Sequence, residues 1–307
     1  EDKVLKVLAN KDALYNADGN SQLVSTNLTL GSTIPFAGDY GISKNPESLA
    51  SDQYRLYFTD KQRGAVLRLS GDGLTPISNV GMKTWFRDNL KKCDTLLGTF
   101  DTVNGEYNIT LNYKPSLTSY TNKTISFNEG GKGWISFKSF VLEAGDSVSG
   151  KYITAKINKA YEHHVGTDVN SDGDTVDNYN TFYGEHTESS FKVLFNDNPG
   201  SIKSFFTMNY EGSQARVNQF LQSQELDVNN NAVLTPGFTG TNDGEFYNLF
   251  EKDGWYVDSF ETDMQSGKVV EFINKENKWF NKIQGITTTL ENLDTSEFTV
   301  QGLGIPT

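Results

Sequence analysis

Residues 54–78 read YRLYFTDKQRGAVLRLSGDGLTPIS, and this stretch decides the fold. Tyr54, Leu56 and Phe58 alternate with Arg55, Tyr57 and Thr59, the two-residue period of a half-buried strand. Asp60, Lys61, Gln62, Arg63 and Gly64 supply a polar turn, and Ala65 to Leu69 start a second alternation. Gly71, Asp72 and Gly73 then break the chain, because glycine accepts the positive φ that a tight turn needs. Strand, hairpin, strand and glycine turn together have the form of one β-propeller blade.

Working outward, residues 1–53 form a lead-in segment. A short apolar strand at residues 4–8 is followed by a turn at residues 16–20 (NADGN), and residues 23–30 alternate again. Downstream, residues 81–90 predict a short amphipathic helix with Met82, Trp85, Phe86 and Leu90 on one side. Residues 96–101 and 106–111 predict a hairpin turned at Asn104 and Gly105. A third unit spans residues 124–140 about Gly130 and Gly131, and a fourth spans residues 151–164 and resumes at 181–183. A fifth pairs residues 190–195 with 202–209. Such units recur at about 35 to 45 residues, the spacing of propeller blades, with an irregular sandwich as the alternative. Beyond residue 212 the texture changes. Residues 213–253 predict a polar, glycine-broken linker or arm, and residues 254–307 a small closing β module.

Composition agrees with strands more than helices: 36% of residues are hydrophobic and 12% aromatic, with glycine, asparagine, threonine and serine abundant. The 27 basic and 39 acidic residues give a net charge of −12, which repels polyanions and argues against a nucleic-acid partner. Arg55, Arg63 and Arg68 read as a solvated strand face. The single Cys93 builds neither a disulfide nor a zinc site and reads as a small buried apolar residue. No run reaches the ~20 apolar residues of a membrane-spanning helix. The chain opens on Glu1 without an initiator methionine, which suggests a piece of a longer polypeptide, a processed chain, or one trimmed for study.

The sharpest chemical signal is an acidic loop at residues 168–177, DVNSDGDTVD. Asp168, Asn170 and Asp172 stand at positions 1, 3 and 5 of a calcium loop, Gly173 at 6 and Asp174 at 7. Position 12 is Tyr179 where a bidentate glutamate is expected, and Asp177 is the substitute ligand. A solvated hairpin tip is the competing reading. His163, His164 and His186 invite a metal reading, but neighbours on a strand point to opposite faces, which favours structural polar roles. Residues 70–73 faintly resemble a sialidase aspartate box, without its flanking positions. No nucleophile elbow, zinc-protease helix, P-loop or dinucleotide fingerprint occurs, so no enzyme is expected. Asn27, Asn108 and Asn122 head chance sequons, and Trp134, Trp255 and Trp279 are expected in packing.

Several long strings carry a family resemblance: NKDALYNADGN, IPFAGDYGISKNPESLAS, YRLYFTDKQRGAVLRLSGDGLTPISNVGM, GWISFKSF, FNDNPGSIKSF, NYEGSQ and GWYVDSFETDMQSGKVVEF. With these the chain resembles large virion structural proteins of contractile-tailed phages, notably those of marine cyanobacteria, over residues 10–302. The acidic loop departs from that pattern. The resemblance implies a virion location and a tail, baseplate, fibre or surface component whose partners are other virion proteins and copies of itself.

The expectation is therefore an all-β chain: propeller-like blades or an irregular β assembly over residues 54–212, then the arm and the small module. Its function is assembly within a phage particle. The alternatives are a module recognising host-surface glycan, and a polysaccharide depolymerase.

Overall fold

The computed structural model describes residues 2–15, 21–169, 172–195, 197–198, 200–201, 205–217, 225–226, 232–233, 253–262, 266–275, 278–285 and 300–302. The chain divides into two compact units, Glu1–Lys192 and Val193–Thr307. Both are built from small, mostly antiparallel sheets, so the all-β expectation holds.

The first unit starts with a two-stranded ribbon, β1 (Leu5–Tyr15) and β2 (Ser21–Pro35). A four-stranded meander follows: β3 (Ala50–Asp52), β4 (Arg55–Asp60), β5 (Ala65–Ser70) and β6 (Gly73–Pro76). Helix α1 (Lys83–Leu90) leads into a second meander of β7 (Cys93–Asp101), β8 (Glu106–Tyr113), β9 (Lys123–Asn128) and β10 (Gly133–Lys138). The hairpin and the third unit read separately from the sequence thus merge into one sheet.

Strand β4 is not half-buried. Tyr57 and Thr59 are fully buried on one face, and Phe58 is buried on the other. Tyr57 and Val66 join Leu96, Phe100, Tyr107, Ile109 and Phe127 of the second sheet in one core, with Phe86 and Leu90 of α1. Phe58, Ala65 and Leu67 pack instead under Val4, Tyr40 and Ile42 of the lead-in segment. Leu56, on that same second face, lies beyond the cover and stays exposed. The two meanders therefore pack face to face, and among the described residues no ring of blades forms. The irregular β assembly is the alternative that fits.

Two glycines fix how closely these parts approach. Gly98 of β7 passes under the turn at Pro46–Ser48, where an added Cβ would stand 2.0 Å from the Ser48 carbonyl oxygen. Gly64 turns β4 into β5 at φ 67°, and its Cβ would stand 2.5 Å from the Arg87 Cα of helix α1.

A three-stranded sheet follows: β11 (Ala144–Val148), β12 (Lys151–Lys156) and β13 (Lys159–Glu162). Two short ribbons complete the unit, β14 (Thr167–Val169) with β15 (Thr175–Asp177) and β16 (Thr181–Phe182) with β17 (Glu185–His186). The strand expected at residues 190–195 does not form.

In the second unit β18 (Thr207–Tyr210) is paired far along the chain. The further strands there are β19 (Glu225–Leu226), β20 (Ala232–Val233), β21 (Val257–Glu261), β22 (Ser266–Val269), β23 (Ile273–Lys275), β24 (Lys278–Lys282), β25 (Gln284–Gly285) and β26 (Val300–Gly302). Their sheets run β23-β24-β18-β26 and β21-β22-β25, with β19 and β20 a separate pair. Ala215 and Val217 are buried with Val269, Phe272 and Trp279. The opening of the expected arm is thus core, and strands of the closing module start ahead of residue 212. The remainder of that arm up to its last residue, residues 218–224, 227–231 and 234–252, lies outside the described residues.

Candidate functional site

The acidic loop is a hairpin tip. β14 pairs with β15 in the register Thr167↔Asp177, Asp168↔Val176 and Val169↔Thr175, and Gly173 turns the chain at φ 87°. Directly paired residues share a face and successive residues alternate. Asp177 therefore projects with Thr167, and Asp168 projects to the opposite side with Val176. Asp172 and Asp174 sit between them at the exposed tip, and Asn170 lies outside the described residues. Asp168 Oδ1 accepts the Val169 N–H at 2.8 Å. The register thus sets Asp168 and Asp177 on opposite faces of the ribbon. Among the described residues no group of three histidine, cysteine or acidic side chains is arranged to hold a metal.

His163 and His164 lie just past the end of β13, where a turn and not strand alternation separates them. His163 sits among Phe140, Tyr152, Phe182 and Tyr183, with Nε2 2.7 Å from Thr154 Oγ1. Burial pushes its imidazole down to about 4, so it is neutral at neutral pH. His164 takes the left-handed backbone conformation, φ 64°, and turns the other way, placing Nε2 2.6 Å from Asp101 Oδ2. Asp101 is buried, and its Oδ1 also accepts the Val103 N–H. His186 is exposed on β17. These groups fasten the chain leaving β13 onto the β7–β8 turn. Beside them Phe140, Lys156, Phe182, Tyr183 and Glu185 line an open cleft of ≈ 220 Å³.

Three buried or half-buried carboxylates organise the rest of the polar structure, and local sequence marked none of them as special. Asp60, fully buried, accepts from the Gly41 and Arg63 N–H groups, the Ser43 hydroxyl and the Arg63 guanidinium. Asp101 does the same for the β7–β8 turn. Glu129 accepts from Tyr57 Oη at 2.6 Å and Arg68 Nη1 at 3.1 Å, with Arg55 Nε at 3.5 Å. The three arginines are therefore not a solvated face. Each is committed to a carboxylate, Arg63 to Asp60 and Asp2, because partners distant in sequence fold against them. The signal available was the turn itself, an Asp three residues before the backbone N–H it caps.

Trp134 and Trp279 pack as expected, whereas Trp255 is 38% exposed. Trp134 donates its indole N–H to Ile77 O at 3.1 Å, and Trp279 donates to Gly212 O at 3.0 Å. Cys93 is fully buried, which pushes its thiol up to about 12.

The surface is where these units offer most. Leu5, Val7, Leu14, Leu23 and Leu30 are exposed along the N-terminal ribbon. No described helix is long and apolar enough to cross a membrane.

Residues 177–285, 109 of the 307, match the family described as the Crassvirus muzzle protein C-terminal domain. The matched stretch starts at the last residue of β15 and runs through β25. It is a crassvirus family, not one of marine cyanobacterial phages. No curated protein sequence matches the chain. A matched phage structural domain within an all-β chain makes this protein a structural component of a phage virion.

Proposed function

We propose that the chain is a muzzle-type subunit of the phage tail, in the role expected of a tail, baseplate or fibre component, and that it works by assembly rather than catalysis. The match over residues 177–285 carries this reading. The architecture supports it: small sheets, carboxylates consumed by internal arginines and turns, and apolar side chains left on an extended ribbon. Such a surface suits contacts with other virion proteins and with copies of itself. Mass spectrometry of tails purified from disrupted particles tests this. Peptides of this chain should co-purify with tails in stoichiometric amount. Their presence only in the host-cell fraction, with binding to host polysaccharide by the free protein, would favour glycan recognition instead.

A further inference from the structure

Asn104 and Gly105 form the single Asn-Gly step among the 307 residues, at the tip of the β7–β8 turn. An asparagine side chain can close a ring onto the backbone nitrogen of the next residue. Glycine in that next position presents its nitrogen with no side chain in the way. Gly105 sits at φ 65° with nothing within 4 Å of where a Cβ would stand, and Asn104 is exposed to water.

Two contacts made by the fold bear on that ring closure. Asn128 donates its side-chain N–H to Asn104 O at 3.0 Å. When the Gly105 nitrogen gives up its proton, the negative charge spreads onto that same carbonyl oxygen. The Asn128 amide therefore stabilises the attacking form, as a donor aimed at a developing oxyanion does. The Asn104 amide, in turn, is held loosely. Its hydrogen-bond partners among the described residues are the two ring nitrogens of His164, each at 3.4 Å, longer than a good hydrogen bond. Turning it onto Gly105 breaks no strong bond.

We propose that Asn104 is a site of spontaneous modification, converted to aspartate and isoaspartate through a cyclic imide that Gly105 closes and Asn128 promotes. The Gly105 nitrogen bonds to Asn104 Cγ, the bond from Cγ to Nδ2 breaks, and ammonia leaves with the Gly105 proton. Water then opens the imide at Cγ, giving aspartate, or at the main-chain carbonyl, giving isoaspartate with an extra carbon in the backbone. Either product sets a new carboxylate beside His164 and the buried Asp101. Isoaspartate also lengthens the turn. That strains its two stitches to the β9–β10 turn, Asn128 Nδ2 to Asn104 O and the Glu129 N–H to Gly105 O. Glu129 is the carboxylate shared by Tyr57 and Arg68 of the other sheet, so modification with age loosens the first unit at that tie. The inference stands apart from the virion role.

Peptide mapping by mass spectrometry of the full folded chain, sampled during incubation in warm, mildly alkaline buffer, tests it, with Asn128→Asp alongside. That variant removes the donor and keeps the oxygen that accepts from the Gly131 N–H. Residue 104 of the parent should convert about tenfold or more faster than any other asparagine. Asn128→Asp should slow that conversion severalfold at unchanged melting temperature. The isoaspartate form, resolved chromatographically, should melt lower than the unmodified chain. Conversion at residue 104 no faster than at other asparagines overturns the inference. Equal rates in the parent and Asn128→Asp overturn the part played by the fold. Equal melting temperatures of the isoaspartate and unmodified chains overturn the loosening at Glu129.

Discussion

Tyr57 Oη and Glu129 Oε1, 72 positions apart in sequence, meet at 2.6 Å, the phenol donating to the carboxylate. Burial, reinforced by this bond, pushes the Tyr57 phenol far above its ordinary value, so it remains a donor at any working pH. The same carboxylate takes Arg68 and Arg55, tying the β9–β10 turn of one sheet to β4 and β5 of the other. Glu129→Ala should destabilise the first unit by about 2–4 kcal/mol in urea denaturation, since two arginines and a phenol lose their acceptor. Glu129→Gln should cost less, because the amide oxygen still accepts. Equal, negligible losses would show that the two sheets do not depend on this tie.

Gly98→Ala forces a methyl group into the Ser48 carbonyl, backbone against backbone. We expect a loss of about 3 kcal/mol or more, or failure to fold. Gly71→Ala meets nothing within 4 Å and serves as the control, expected within about 0.5 kcal/mol of the parent. Similar melting temperatures for the two variants would contradict the close approach of β7 to the Pro46–Ser48 turn.

Ile157 and Asn158 join β12 to β13 with φ 46° and 59°, a pair of left-handed residues between Lys156 and Lys159. A β-branched side chain is strained there, and Ile157 is 73% exposed, so it gains little packing in return. Ile157→Asn should raise stability by about 1 kcal/mol, read by calorimetry. A lower melting temperature would mean that Ile157 makes a contact worth more than its strain.

His163 titrates lower in the folded chain than its ordinary value of 6.5, at about 4, so acid favours the unfolded chain. Its contribution is fully present above pH 6.5 and is lost as pH falls toward 4. His163→Phe should flatten the melting temperature between those limits relative to the parent. Parallel pH profiles for the two proteins would exclude His163 as a source of the slope.

Calcium titrated into the protein should bind no tighter than the millimolar range by calorimetry, because Asp168 and Asp177 face opposite sides of their ribbon. A micromolar site of unit stoichiometry that Asp174→Ala abolishes would show that the donors do converge.

Local signals were read well from the sequence. Alternation marked β4 and β5, Asn104 and Gly105 marked the β7–β8 turn, and the spacing of Phe86 and Leu90 marked α1. What escaped was non-local. Phe58 is buried by Val4 and Tyr40, far upstream, so a strand that reads half-buried is covered on both sides. Residues 190–195 alternate like a strand but do not form one, while β18 pairs with β24 more than sixty residues on. Ile157 carries no turn signature, so the β12–β13 turn inside the unit at residues 151–164 is not marked at that position. The acidic tip was legible as a turn, but the faces its aspartates take depend on pairing register, which a spacing motif does not encode.

Immunogold labelling of intact particles, with antibody raised to this chain, tests the virion role most directly. Gold should decorate the tail region of the particle. Particles bearing no gold, with the antigen confined to the infected-cell lysate, would contradict a structural role in the virion.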